Sequence, residues 1–117
     1  MKVLVVDDEE DVRLLLRLQL EAHGHEVTGE AAEGEAALAA CREQEPDVVI
    51  LDLLMPGMNG FVAIPALRRA FPKVAIVAYT AVAGDFVRNE MKRLKVPLVL
   101  KTASFEPIEA AIRQALA

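Results

Sequence analysis

A chain of 117 residues, 54% hydrophobic and 26% charged, carries enough apolar side chain for one compact core and too much for a disordered segment. Eighteen acidic against 13 basic residues give a formal net charge of -5, which argues against direct nucleic acid binding. The single cysteine, Cys41, excludes an internal disulfide and reads as a small buried side chain on a helix.

In chain order, short apolar runs alternate with stretches of helical spacing. The first run, VLVV at residues 3–6, is too short for a signal peptide and reads as a strand ending in Asp7 and Asp8. Val12, Leu15, Leu16, Gln19 and Leu20 then follow helical spacing, with Asp8 or Asp11 as candidate caps and His23-Gly24 as the stop. His23 and His25 read as turn residues, since no cysteine or third histidine joins them as metal ligands. A weaker strand is predicted over residues 26–28. Ala36, Ala37, Ala40 and Cys41 mark a second helix after Gly34, closed by Pro46.

The second run, VVIL at residues 48–51, leads into Asp52. A third helix is predicted over residues 60–71, with Pro72 closing it and Pro65 inside it as a kink. VAIVAY at residues 74–79 is the fourth strand and leads into Thr80; a helix follows over residues 85–94. LVL at residues 98–100 is the fifth strand and leads into Lys101. The last helix begins near Ser104 as N-cap, with Pro107 in its first turn and Ile108, Ile112 and Leu116 as its buried stripe. The longest charge-free stretch, residues 53–67, is broken by Pro56, Gly57, Asn59, Gly60 and Pro65, so nothing is expected to span a membrane and the location is read as cytoplasmic.

Non-alternating Val- and Ile-rich strands separated by helices imply a parallel sheet covered on both faces. Five such units predict one α/β domain over residues 1–117, flavodoxin-like (βα)5, with strand order 2-1-3-4-5. Ligands in such sheets bind beyond the carboxyl ends of the strands, where the order reverses. Asp7, Asp8, Asp52, Thr80 and Lys101 all fall at that edge. Three converging carboxylates call for a cation, and an oxygen-only set suits Mg²⁺. A carboxylate beside a divalent ion can attack phosphorus, with Lys101 as a point charge and Thr80 as a hydroxyl donor to phosphoryl oxygens. Taken singly, each of these residues is equally at home as a cap, a strand end or a surface charge.

At these positions the sequence resembles the receiver domains of two-component response regulators. VLVVDDEEDVR, PDVVILDLLMPGMNGF, VAYTA and LVLK carry the likeness, which covers essentially the whole chain. The resemblance implies that Asp52 is the phosphoacceptor. It further implies that Asp8, Asp52 and the Leu54 backbone carbonyl ligate Mg²⁺, with Asp7 holding the metal through water. Thr80 and Lys101 would serve the phosphoryl group. The implied donor is a sensor histidine kinase or phosphotransfer protein, and a homodimer is one implied assembly. The resemblance gives no turnover enzyme, only a domain that catalyses its own phosphorylation and dephosphorylation. VTGEAAEGEAAL and LKTASFEPIEAAIRQAL look like receivers that precede a LuxR-type helix-turn-helix DNA-binding domain, which this chain does not contain.

The chain departs from the family pattern at three places, one of them the segment MKRLKVPLVL, which lacks the Gly common before strand 5. Thr102 follows the lysine where many receivers have proline, and Leu98 occupies the switch position that is usually aromatic. Two other classes fit these residues less well. A Mg²⁺-dependent phosphohydrolase of the haloacid-dehalogenase type needs an Asp two residues beyond its nucleophile, where this chain has Leu54. A receiver-like binding module that works without phosphorylation would not need the complete acidic set.

Overall fold

The computed structural model describes residues 1–81, 83–101 and 104–117; Val82 and Thr102 lie outside the described residues. Ten elements alternate: β1 (Lys2–Val6), α1 (Glu10–Ala22), β2 (Glu26–Ala31), α2 (Gly34–Glu43), β3 (Val48–Leu51), α3 (Gly60–Ala70), β4 (Ala75–Thr80), α4 (Asp85–Leu94), β5 (Leu98–Leu100) and α5 (Glu106–Leu116). All strand pairs are parallel, and the sheet order is β2-β1-β3-β4-β5, the expected flavodoxin-like arrangement.

Side chains alternate between the two faces of each strand, and both faces are covered, so the runs are apolar throughout. Leu4, Val6, Val49, Leu51, Ile76 and Ala78 pack with Ala37 and Cys41 of α2, Ala63, Ile64 and Leu67 of α3, and Met91 of α4. On the other face Val3, Val5, Val48, Ile50, Val77, Tyr79 and Val99 pack with Leu16 and Leu20 of α1 and Ile108, Ala111 and Ile112 of α5. Each fully buried Val, Leu or Ile contributes about 1.5–3 kcal/mol of transfer free energy. Burial pushes the Cys41 thiol up to about 11, with the Glu45 charge adding to it, so the sulfur stays protonated and inert.

Four sequence expectations change. Leu15 is exposed, as are Leu14 and Leu18, because α1 buries a narrow stripe through Leu16 and Leu20 and Leu15 turns off it. Neither Asp8 nor Asp11 caps α1: Glu9 is the N-cap residue and makes no side-chain cap bond. Strand β2 runs on to Ala31, drawn out by its pairing with β1 up to Val6. Helix α5 starts at Glu106 with Phe105, not Ser104, at the N-cap, and Leu116 is partly exposed in its last turn. Phe105 is pulled inward as a core residue, with His23 stacked on its ring at 4.2 Å.

The turn between α1 and β2 contains Gly24 at φ 86°, a conformation that suits glycine. His23 and His25 are turn residues there, as expected, and His25 Nε2 lies 2.8 Å from Glu109 Oε2, tying this turn to α5.

Candidate functional site

Sheet register delivers the site residues. Val6 pairs with Leu51, so the next residues, Asp7 and Asp52, emerge side by side from adjacent strands. The Asp52 N–H donates to the Val6 carbonyl at 2.9 Å, and the Asp7 N–H to the Ala31 carbonyl at 3.0 Å. On the other side Thr80 pairs with Leu100, and the Lys101 N–H donates to the Thr80 carbonyl at 2.8 Å. All of this happens at the carboxyl edge, where β1 and β3 part to opposite directions of winding.

The side chains converge. Carboxylate oxygens of Asp7, Asp8 and Asp52 lie within 4.8 Å of one another; Asp7 and Asp52 are buried and Asp8 is exposed. Lys101 Nζ lies 2.6 Å from Asp7 Oδ2 and 3.3 Å from Asp52 Oδ2. Asp52 Oδ1 accepts the Leu54 N–H at 3.2 Å, and Asp7 Oδ1 accepts the Glu9 N–H at 2.8 Å. Lys101 also sits 6.0 Å from the ring centroid of Tyr79, the outer reach of a cation–π contact.

Charge sets the chemistry. Burial raises the Asp52 carboxyl above its ordinary value; Lys101 draws it down and Asp7 pushes it further up, for a net rise. Burial pulls the Lys101 ammonium down, but its hydrogen bond to Asp7 and the two nearby carboxylates outweigh this, so the net direction is up. One ammonium against three carboxylates leaves the cluster negative, which favours a divalent cation. Asp7 Oδ2 is buried and is held by the Lys101 ammonium at 2.6 Å. An all-oxygen donor set whose carboxylates lie within 4.8 Å of one another, two of them buried, fits Mg²⁺.

The loop after Asp52 is held from two sides. Gly60 N–H donates to the Leu53 carbonyl at 3.0 Å, and a Cβ on Gly60 would meet Leu53 Cα at 2.7 Å and the Asp52 carbonyl at 2.9 Å. Gly34 N–H donates to the Met58 carbonyl at 3.0 Å, and a Cβ there would meet that oxygen at 2.7 Å. Asn59 caps α3 by accepting the Val62 N–H at 3.2 Å. The side chain of Leu54 points outward, 57% exposed, beside the carboxylate its backbone binds.

Asp7, Asp8, Asp52 and Lys101 are therefore brought together as expected. Thr80 is buried at the end of β4 in the adjoining register, and Leu98 is half-buried at the start of β5, packed on the α2–α4 side of the sheet. Reading the sequence missed Arg13, whose Nη1 donates to the Asp7 carbonyl at 2.6 Å while its Nε donates to Glu30 Oε1 at 3.1 Å. Its position in the first turn of α1, the helix that follows the acidic pair directly, was the available signal.

The sequence model for the response regulator receiver domain matches residues 3–113. Response regulator GacA of Pseudomonas aeruginosa is 38% identical over 99% of this chain, which spans 55% of the length of that relative. RcsB of Salmonella enterica serovar Typhimurium, solved bound to promoter rprA with the phosphomimetic BeF3⁻, superposes with a TM-score of 0.89 at 25% identity over 100% of this chain and 99% of that one. The chemotaxis protein CheY4 of Vibrio cholerae superposes with a TM-score of 0.85 at 28% identity over 98% of each chain. No helix among the described residues is long and apolar enough to cross a membrane. A family match over nearly the whole chain, added to the doubly wound sheet and its acidic edge, makes this chain a member of the response regulator receiver domains.

Proposed function

We propose that residues 1–117 form one phosphoacceptor receiver domain in which Asp52 takes a phosphoryl group from a phosphohistidine on a sensor histidine kinase or phosphotransfer protein. The observation that supports this most directly is the position of Lys101 Nζ, in contact with both Asp7 and Asp52 on the rim of a three-carboxylate cluster. Asp7, Asp8, Asp52 and the Leu54 carbonyl would hold Mg²⁺, with Asp7 acting through water. When bound, Mg²⁺ supplies charge neutralisation to the phosphoryl oxygens.

An Asp52 carboxylate oxygen attacks phosphorus in line with the leaving imidazole. The new O–P bond forms as the P–N bond breaks, and the imidazole nitrogen takes up a proton. Lys101 then meets a phosphoryl oxygen with its ammonium group, and the Thr80 hydroxyl donates to another. The chain catalyses only this step on itself and the later dephosphorylation, in which water attacks phosphorus, the O–P bond to Asp52 breaks and inorganic phosphate leaves. We place the response on the surface of α4, β5 and α5, in the cytoplasm, and take a DNA-binding domain of helix-turn-helix type as the output by likeness to RcsB, whose structure is a promoter complex. Homodimerisation is part of this reading.

Incubation with acetyl phosphate and Mg²⁺, read by intact mass, tests it. The wild type is expected to gain one phosphoryl group, and Asp52→Ala or chelation by EDTA to prevent it. No adduct on the wild type, or an equal adduct on Asp52→Ala, rejects the assignment and leaves a binding module that works without phosphorylation.

A further inference from the structure

The backbone of Asp7 is held from both sides by the edge strand β2. Its N–H donates directly to the Ala31 carbonyl at 3.0 Å. Its carbonyl accepts Arg13 Nη1 at 2.6 Å, and Arg13 is in turn bound through Nε to Glu30 Oε1 at 3.1 Å. Glu30 is the residue before Ala31 on the same strand. Its other oxygen, Oε2, lies 3.1 Å from Arg17 Nη2, one helical turn further along α1, so neither carboxylate oxygen is free to swing away. The Arg13 side chain is only 17% exposed.

We infer that Arg13 is a positioning residue for the acidic pair and that Glu30 is its anchor. The inference rests on the proposed phosphoacceptor reading for its consequence, but not for its geometry. The turn from Asp7 to Glu10 concentrates like charge: Asp7, Asp8, Glu9, Glu10 and Asp11 are consecutive. The repulsion among them favours an open turn, and α1 has no side-chain cap to close it. Arg13 opposes that opening from below. Its planar fork can bond a carbonyl and a carboxylate at once, which an ammonium cannot do in the same geometry. With Asp7 fixed at N–H, carbonyl, Oδ1 and Oδ2 by four different partners, Asp8 is presented at a set distance from Asp52. Strand β2 contributes no carboxylate to the cluster, yet it sets where the cluster stands.

Two readouts test this on the whole domain. In metal-free protein, amide hydrogen exchange at Glu9 reports the turn directly, because that N–H is bonded to Asp7 Oδ1. Arg13→Gln is expected to accelerate it about tenfold while α5 amides are unchanged, and Glu30→Gln to do the same more weakly. In a Mg²⁺ titration followed by amide shifts, Arg13→Gln is expected to raise the midpoint about tenfold, the size of effect seen when a ligand loses its supporting partner. Arg13→Lys should fall between wild type and Arg13→Gln.

Unchanged Glu9 exchange in both Arg13→Gln and Glu30→Gln overturns the inference, whatever the phosphorylation assay gives. A uniform rise in exchange across the domain, with an unmoved Mg²⁺ midpoint, also overturns it, since that is general destabilisation. Failure of the wild type to bind Mg²⁺ or take up phosphate would instead reject the proposed function, and the Glu9 exchange would still decide the clamp.

Discussion

Lys101 leans toward Asp7 and not toward the proposed phosphoacceptor: its Nζ is 2.6 Å from Asp7 Oδ2 and 3.3 Å from Asp52 Oδ2. The lysine is thus committed mainly to the fully buried carboxylate, and Asp52 keeps one oxygen only loosely engaged. Such an arrangement suits a nucleophile that must leave its ion pair partly behind to reach phosphorus. It also makes Asp7 depend on Lys101, because Asp7 is 1% exposed and water cannot replace the ammonium easily.

Lys101→Met should therefore destabilise the domain by about 3 kcal/mol in EDTA, the lower part of the range for stranding a buried charge. Urea unfolding measures it. Addition of Mg²⁺ should recover part of the loss, because a divalent ion meets the same carboxylates. A variant as stable as wild type without metal would mean that the contact is spent on desolvating its own partners.

Asp52 should oppose folding at neutral pH. Its folded value is raised above the ordinary 3.8, chiefly by burial, so ionisation favours the unfolded chain. The group's stability contribution is therefore fully present below its unfolded value and is lost as pH rises through the folded one. In EDTA, Asp52→Asn is expected to melt a few degrees above wild type at pH 7, with the gap closing as pH falls toward about 4. Thermal melts across that range check the sign. A gap that is absent at pH 7, or that widens on acidification, would contradict the assigned cause.

Gly60 and Gly29 should respond to alanine in opposite directions. A Cβ on Gly60 runs into the backbone of Leu53 and Asp52, which cannot move without shifting the site, so Gly60→Ala should cost about 1–3 kcal/mol and slow phosphorylation. At Gly29 the added methyl meets only Leu4 Cδ1 at 3.6 Å, an ordinary contact, and the loss of unfolded-state freedom should stabilise by about 0.5 kcal/mol. Paired urea unfolding curves decide both.

The sheet and most of its acidic edge were readable because parallel strands covered on both faces leave runs such as VVIL at residues 48–51, and the residue after each run must surface at one edge. Asp7, Asp52 and Lys101 followed from that rule alone, as the register bears out. What escaped depends on tertiary contacts without a local pattern. Leu15 looks apolar enough for the core, yet the orientation of α1 against the sheet turns it outward. Ser104 has good capping chemistry, but burial of Phe105 decides where α5 begins. Arg13 reads as an ordinary exposed helix charge until β2 brings Glu30 beside it, 17 residues further on.

The lifetime of the phosphoryl group should be set by what stands next to Asp52. Leu54 is 57% exposed there, and an apolar side chain cannot orient an attacking water. Leu54→Asn keeps the backbone N–H that bonds Asp52 while adding a side-chain amide able to hold water. It should shorten the half-life of the phosphorylated domain several-fold. Phosphate release after removal of acetyl phosphate gives the rates. Release from Leu54→Asn that is slower than from wild type would show that hydrolysis is limited by access past this side chain and not by the lack of a group to hold the water.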